Sequence, residues 1–295
     1  MCNGTIMDKL ISFSIPLMLS GILQLMFNAV DIVVVGRFSG SQALAAVGST
    51  TALINVFTNL FIGISLGANV LAARFFAAGR KEEMSETVHT SITLALISGI
   101  LMAFVGLVFS KGALELMGTP EDVIGLSTLY MRIYFMGMPF FMLYNYGAAI
   151  LRAVGDTKRP LYFLIIAGVI NAGLNMVLVI VFGLGVAGVG IATVFSQFVS
   201  GAGIGLYTLK QFPELCPRRE DCKWDRSNLN TILNLSVMTS VQQSIMNFGI
   251  LMVQGLVNSF GTVIMAAFAA AVKIDSFAYM PVQDFGNAFS TYVAQ

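Results

Sequence analysis

Charge is scarce in this chain. Asp, Glu, Lys and Arg together make up 11% of its 295 residues, against about 25% in an ordinary soluble domain. The net charge is +1 and the Lys and Arg gather on no helix face, which excludes a nucleic-acid groove. Histidine and tryptophan occur once each. Of the three cysteines, Cys2 is terminal, and Cys216 and Cys222 share one polar loop. They read as free thiols of a reducing compartment. The lone histidine, His89, is remote from them, so a metal site lacks ligands and His89 itself reads as interfacial. There is no paired histidine, no Walker A sequence and no G-x-S-x-G, so no enzyme constellation is present and an ATP-driven pump would lack its nucleotide site. Gly183–Gly188 matches G-x-G-x-x-G in letters only. It forms a turn between two apolar runs, and no acidic residue follows at the distance a dinucleotide fold requires.

What the chain has in abundance is apolar length. Hydrophobic residues make up 57% and mean hydropathy is +0.83. The pattern predicts an all-α polytopic membrane protein with about eight transmembrane helices, near 10–36, 46–76, 88–110, 123–150, 160–182, 187–210, 230–258 and 263–294. A β-barrel would show short alternating segments instead. The run after Lys9 is longer than the roughly 7–15 apolar residues of a cleavable signal peptide, and another span follows it directly. Prolines 16, 139 and 281 fall inside these helices, and Pro281, near the middle of its span, is expected to kink or break it. With the N-terminus inside, twelve Lys and Arg fall on inner loops and only Arg37 and Lys111 on outer ones, which places the N-terminus in the cytoplasm.

The loop from Gln211 to Asn228 stands apart. It carries Pro213 and Pro217, a dense run of charge and the only tryptophan. It divides the chain into a six-helix lobe, 1–210, a cytoplasmic connector, 211–229, and a further helix pair, 230–295. The pair repeats the layout of 10–76, with Ser236 matching Ser14 and Phe260 matching Phe38, as in transporters built from internal repeats. On that reading the second copy is unfinished at Gln295, and the sequence is part of a longer transporter.

The polar residues inside the spans carry the chemistry. Asp31 lies deep in the first apolar run, where a carboxylate costs several kcal/mol without partners or water. That cost suits a group that gains and loses a proton or cation. Gln24, Asn28 and Asp31 are spaced to form one stripe, which should face the bundle interior or a water-filled cavity. Asn171 and Asn175 lie one turn apart in the fifth span and can supply amide donors and oxygens to a neighbouring carboxylate, or can hold helices together. In the last two spans Gln243, Asn247, Lys273 and Asp275 are candidate cavity residues, structural pairing being the alternative for Lys273 and Asp275. Asp284 suits a gate or a helix network. Arg132 has no clear role.

Three stretches resemble the multidrug and toxic compound extrusion (MATE) family, in its bacterial DinF- and NorM-like branch. They are Asp31–Gly36 with Ala43–Gly48, Leu151–Pro160, and Gly183–Gln197. The resemblance implies an antiporter of two six-helix lobes in the bacterial inner membrane, monomeric and without cofactor. It implies export of cationic or amphipathic organic molecules in exchange for H⁺ or Na⁺ by alternating access. Asp31 matches the family's first-helix coupling aspartate, and Asn175 the asparagine of the same site. Several relatives carry a second aspartate four residues after that asparagine, where this chain has Val179. NorM-type members carry a glutamate in the seventh span, which here has no acidic residue. Both departures favour H⁺ over Na⁺ at Asp31. A lipid-linked oligosaccharide flippase of similar architecture would need several arginines in its cavity, and only Arg132 and Lys273 lie within spans. A non-transporting channel or receptor is the remaining alternative. The 17 Met and 23 Phe offer surfaces that repack around varied substrates, although most of them suit lipid contact.

Overall fold

A computed structural model describes residues 6–116, 119, 121–211, 226–258 and 262–294. Every described element is a helix, as expected of apolar runs that must satisfy their own backbone in lipid. The helices are α1 (Ile6–Phe38), α2 (Ser41–Ala77), α3 (Lys81–Leu116), α4 (Glu121–Met136), α5 (Met138–Ala153), α6 (Lys158–Asn175), α7 (Gly185–Gln211), α8 (Arg226–Asn258) and α9 (Thr262–Ala294). Five stretches are long and apolar enough to cross a bilayer: Leu10–Phe38, Gln42–Ala77, Lys81–Leu116, Lys158–Val181 and Gly185–Thr208. The connector at 212–225, with Cys216 and Cys222, lies outside the described residues, as does Cys2.

The fourth span is not one helix. α4 and α5 are 16 residues each and are separated by Gly137 alone. Pro139 has no N–H to give the carbonyl one turn back, and the Gly137 N–H tightens onto the Tyr134 carbonyl at 3.0 Å. Gln197 and Val194 of α7 fill the space a Cβ at Gly137 would need. Pro281, by contrast, is carried inside an unbroken α9, so the expected break does not occur there. The fifth span also departs from regularity. After Asn175 it widens into a π-helical turn, Met176–Val181. The chain then reverses through Gly183 and Gly185, at φ 66° and 54°, a conformation open to glycine at little cost. The turn expected of the G-x-G-x-x-G stretch thus falls at Gly183 and Leu184, and Gly185 to Gly188 already form the first turn of α7.

Small residues set the seams. Gly63 and Gly67 of α2 lie against Ser240 and Ser236 of α8, a small-x-x-x-small face on each helix. Ser236 Oγ donates across the seam to the Ile64 carbonyl at 3.1 Å. Most other hydroxyls in the spans bond their own helix, as Ser14 does to the Leu10 carbonyl at 2.7 Å, which lets them sit in apolar surroundings. The largest apolar cluster joins α1, α2, α3, α4, α5, α7, the π turn and, through Ile232, α8 around Phe135, Tyr146, Met102 and Met138. A second seam packs Leu10, Phe13 and Leu17 of α1 on Ala288 of α9.

Candidate functional site

α1 and α6 meet where Gly168 gives way to the Phe27 ring. This close approach brings the end of α6 against α1 one to two turns further on, at Asp31. Asp31 is 7% exposed, Asn171 5% and Asn175 fully buried. The Asn175 amide Nδ2 donates to Asp31 Oδ1 and to Asn171 Oδ1 at 3.1 Å. Asn171 Nδ2 in turn donates to Thr193 Oγ1 of α7 at 3.5 Å, and Thr193 is anchored on the Val189 carbonyl at 2.9 Å. Of the expected partners, Asn175 thus bonds the carboxylate directly and Asn171 reaches it only through Asn175, while a third helix extends the chain of hydrogen bonds.

Asn175 is the last α-helical residue before the π turn. Such turns add a residue to the helical circuit, re-aim side chains and recur at functional sites. Val179, within the turn, is 4% exposed and packs in the main core. The position that holds a second aspartate in several relatives is therefore apolar here in its packing as well as its sequence. Asn175 Oδ1 is buried without a hydrogen-bond partner, so the site holds an unfilled acceptor beside the carboxyl group. Among the described residues no basic side chain pairs with Asp31, and no three His, Cys, Asp or Glu gather.

Two tyrosines complete the surroundings and were not singled out from the sequence. Tyr130 and Tyr134 of α4, their rings 6.1 Å apart, lie within electrostatic reach of Asp31. Gln197 of α7 lies against Tyr134, one turn from Thr193, with its Oε1 buried and unpartnered. The available signal was the repeated one-turn spacing of polar groups, 130/134 on one helix and 193/197 on another, within otherwise apolar spans.

Other candidates are not brought to this site. Gln24 and Asn28 are exposed, and the Asn28 amide turns back onto the Gln24 carbonyl at 3.0 Å. They share a stripe with Asp31 but not its enclosure, so of the two settings expected for the stripe, bundle interior or water-filled cavity, the first does not hold for them. Asp275 is exposed on α9, and Arg132 is exposed on α4. The side chains of Gln243, Asn247 and Lys273 lie outside the described residues.

Comparison with known proteins follows the same lines. The MatE family profile matches residues 16–177. A probable multidrug resistance protein of Bacillus subtilis strain 168, YoeA, is 35% identical over 96% of this chain and 63% of its own length. A second from the same strain, YpnP, is 28% identical over 99% of this chain and 65% of its own. A crystallised MATE protein in its bent conformation superposes with a TM-score of 0.90 at 24% identity, covering 99% of this chain and 65% of that one. At that identity the likeness concerns the fold. The chain spans somewhat less than two thirds of these relatives. The matched profile and the identity to YoeA together place this chain in the MATE family of membrane transporters.

Proposed function

We propose that this chain belongs to an ion-coupled exporter of cationic or amphipathic organic molecules, with Asp31 as the coupling carboxylate. The observation that carries the reading is a buried carboxyl group bonded by one amide, Asn175, next to an unfilled acceptor, with no basic partner. Such a group stores a proton or small cation in one state of the transporter and releases it in another. Asp31 reaches both α6 and, through Asn171, α7, so a change in its occupancy acts on three helices at once.

The coupling ion is H⁺, with Na⁺ as the alternative. A Na⁺ site built from protein needs several oxygen ligands, and Val179 removes one carboxylate from reach. The protein works in the bacterial plasma membrane with its N-terminus cytoplasmic, on the strength of the basic inner loops. It divides into a lobe at 1–210, a connector at 211–229 and the first pair of a second lobe at 230–295. It acts as a monomer, alternating access between the lobes. The scarcity of Arg and Lys in the spans speaks against the flippase reading.

The test is efflux of a fluorescent organic cation from cells expressing the complete gene, with an imposed pH gradient. Asp31→Asn should abolish coupled efflux while membrane expression stays normal. Efflux in that variant at the parental rate refutes the role, and gradient-independent flux in the parent favours the channel.

A further inference from the structure

Two hydrogen bonds tie the last two helices to α2. Thr291 Oγ1 of α9 donates to Asn69 Oδ1 at 3.1 Å, and Ser236 Oγ of α8 donates to the Ile64 carbonyl at 3.1 Å. Thr291, Asn69 and Ser236 are all buried. Asn69 is itself held from the other side, its Nδ2 donating to the Ala149 carbonyl of α5 at 3.1 Å. Ala149 lies in the last turns of α5, so this contact sits at the bundle end that holds the α5–α6 turn. Beside it, Ala288 of α9 packs on Leu10, Phe13 and Leu17 of α1.

The two donors share a feature. Thr291 Oγ1 also lies 2.9 Å from the Asn287 carbonyl, and Ser236 Oγ lies 2.6 Å from the Ile232 carbonyl. Each hydroxyl has one proton to give, with one acceptor across the seam and another four residues back in its own helix. If α8 and α9 move away, each proton passes wholly to the carbonyl of its own helix, a bond that such hydroxyls make readily. No donor is then left unpaired in apolar surroundings, where the cost would be about 1–3 kcal/mol. The other partners stay satisfied as well. Asn69 keeps its bond to α5, and the Ile64 carbonyl keeps its place in the ladder of α2. Asn69 Oδ1 faces the opened end, where water can take it up. A buried ion pair in the same place would strand a charge on parting.

We propose that the hydroxyls of Thr291 and Ser236 make the contact of α8 and α9 with α2 a reversible closure. In the conformation described here each proton reaches across to α2. When this end opens, each returns to its own helix. The opening step rests on the alternating-access reading above; the hydroxyl closure does not.

Accessibility of the seam tests it. Ala288 is fully buried one turn before Thr291. In the complete protein, with Cys2, Cys216 and Cys222 replaced by Ser, Ala288→Cys is labelled with a membrane-impermeant maleimide added at the face that holds the α5–α6 turn. Interhelical hydrogen bonds in membranes are weak, so Thr291→Val and Ser236→Ala should each speed labelling by about threefold and together by about tenfold. Thr291→Ser keeps the hydroxyl and should stay close to the parent. In an Asn69→Leu background, Thr291→Val should add nothing further, because its acceptor is already gone. Ala95→Cys, fully buried in the main cluster, should label at the parental rate throughout. Unchanged labelling in the Thr291→Val/Ser236→Ala pair overturns the closure. So does equal acceleration by Thr291→Ser, a full effect of Thr291→Val without Asn69, or equal acceleration at Ala95→Cys, which would mean general loosening. Size-exclusion elution confirms folding, and if Asn69→Leu does not fold the Thr291 and Ser236 variants decide. Labelling needs neither substrate nor gradient, so a failed closure leaves the coupling role of Asp31 standing, and a failed coupling role leaves the closure testable.

Discussion

The approach of α1 to α6 can be tested through one hydrogen atom. Gly168 faces Phe27 so closely that a Cβ at 168 would fall among the ring atoms Cζ, Cε2 and Cε1. Phe27 is one turn before Asp31, and Gly168 about two turns before Asn175. Gly168→Ala therefore forces either the ring out of its rotamer or the two helices apart. Overpacking of this kind costs about 1–3 kcal/mol, or roughly 5- to 150-fold in the folded-to-unfolded ratio. Parting the helices also stretches the Asp31–Asn175 contact, so efflux should fall with stability. Phe27→Ala vacates the space the new methyl needs. The double variant should then be more stable than the sum of the single effects by about 0.5–3 kcal/mol, the range of coupling between contacting residues. The measurements are unfolding in mixed micelles and initial efflux rates for the parent, both single variants and the double. If the two destabilisations add to within about 0.5 kcal/mol, the ring and the glycine do not meet. If Gly168→Ala transports at the parental rate, the seam does not govern the site.

The amide beside the carboxyl group offers another handle. Asn175→Leu removes the donor to Asp31 and the link to Asn171; hydrogen bonds to charged groups are worth about 1.5–3 kcal/mol, so initial efflux rates should fall at least about tenfold, and an unchanged rate would show that Asp31 works without its partner. Val179→Asp places a second carboxylate one turn after Asn175 and should make efflux respond to NaCl; equal rates with and without NaCl would mean that this position does not select the ion.

Asp31 and the two asparagines were legible because each is conspicuous on its own. One acid interrupts a long apolar run, and two amides one turn apart interrupt another. Polar groups in lipid need partners, which marks all three as residues to watch; that Asp31 and Asn175 share one site was implied by the family resemblance. Tyr130, Tyr134, Thr193 and Gln197 escaped notice because none is costly enough to demand a partner. Hydroxyls bond their own helix, and tyrosines are common in spans. Their place near Asp31 comes from α4 packing on α7, which one-turn spacing within either helix does not by itself reveal. The break at Gly137 and the π turn after Asn175 were hidden for a related reason. Apolar runs 123–150 and 160–182 have the length of single spans, and length does not record a change in hydrogen-bond register.

Gln24 and Asn28 show where helical periodicity stops being a guide to burial. Asp31 follows Gln24 by seven residues, nearly two whole turns, so both point the same way from α1. Their surroundings differ because α1 changes partners along its length. At Phe27 and Asp31 it leans on α6 and the π turn, while at Leu10, Phe13, Leu17 and Gly21 it leans on α9. Gln24 stands at the handover and is exposed. A single helix therefore carries Asp31 towards one end and packs at Gly21 against Asp284 of α9 towards the other, with no loop between them. A tilt of α1 that follows a change at Asp31 must move Gly21 against Asp284, since the i→i−4 ladder of a helix transmits such motion with little give. On the functional reading proposed above, this makes α1 the lever between the ion and its seam with α9.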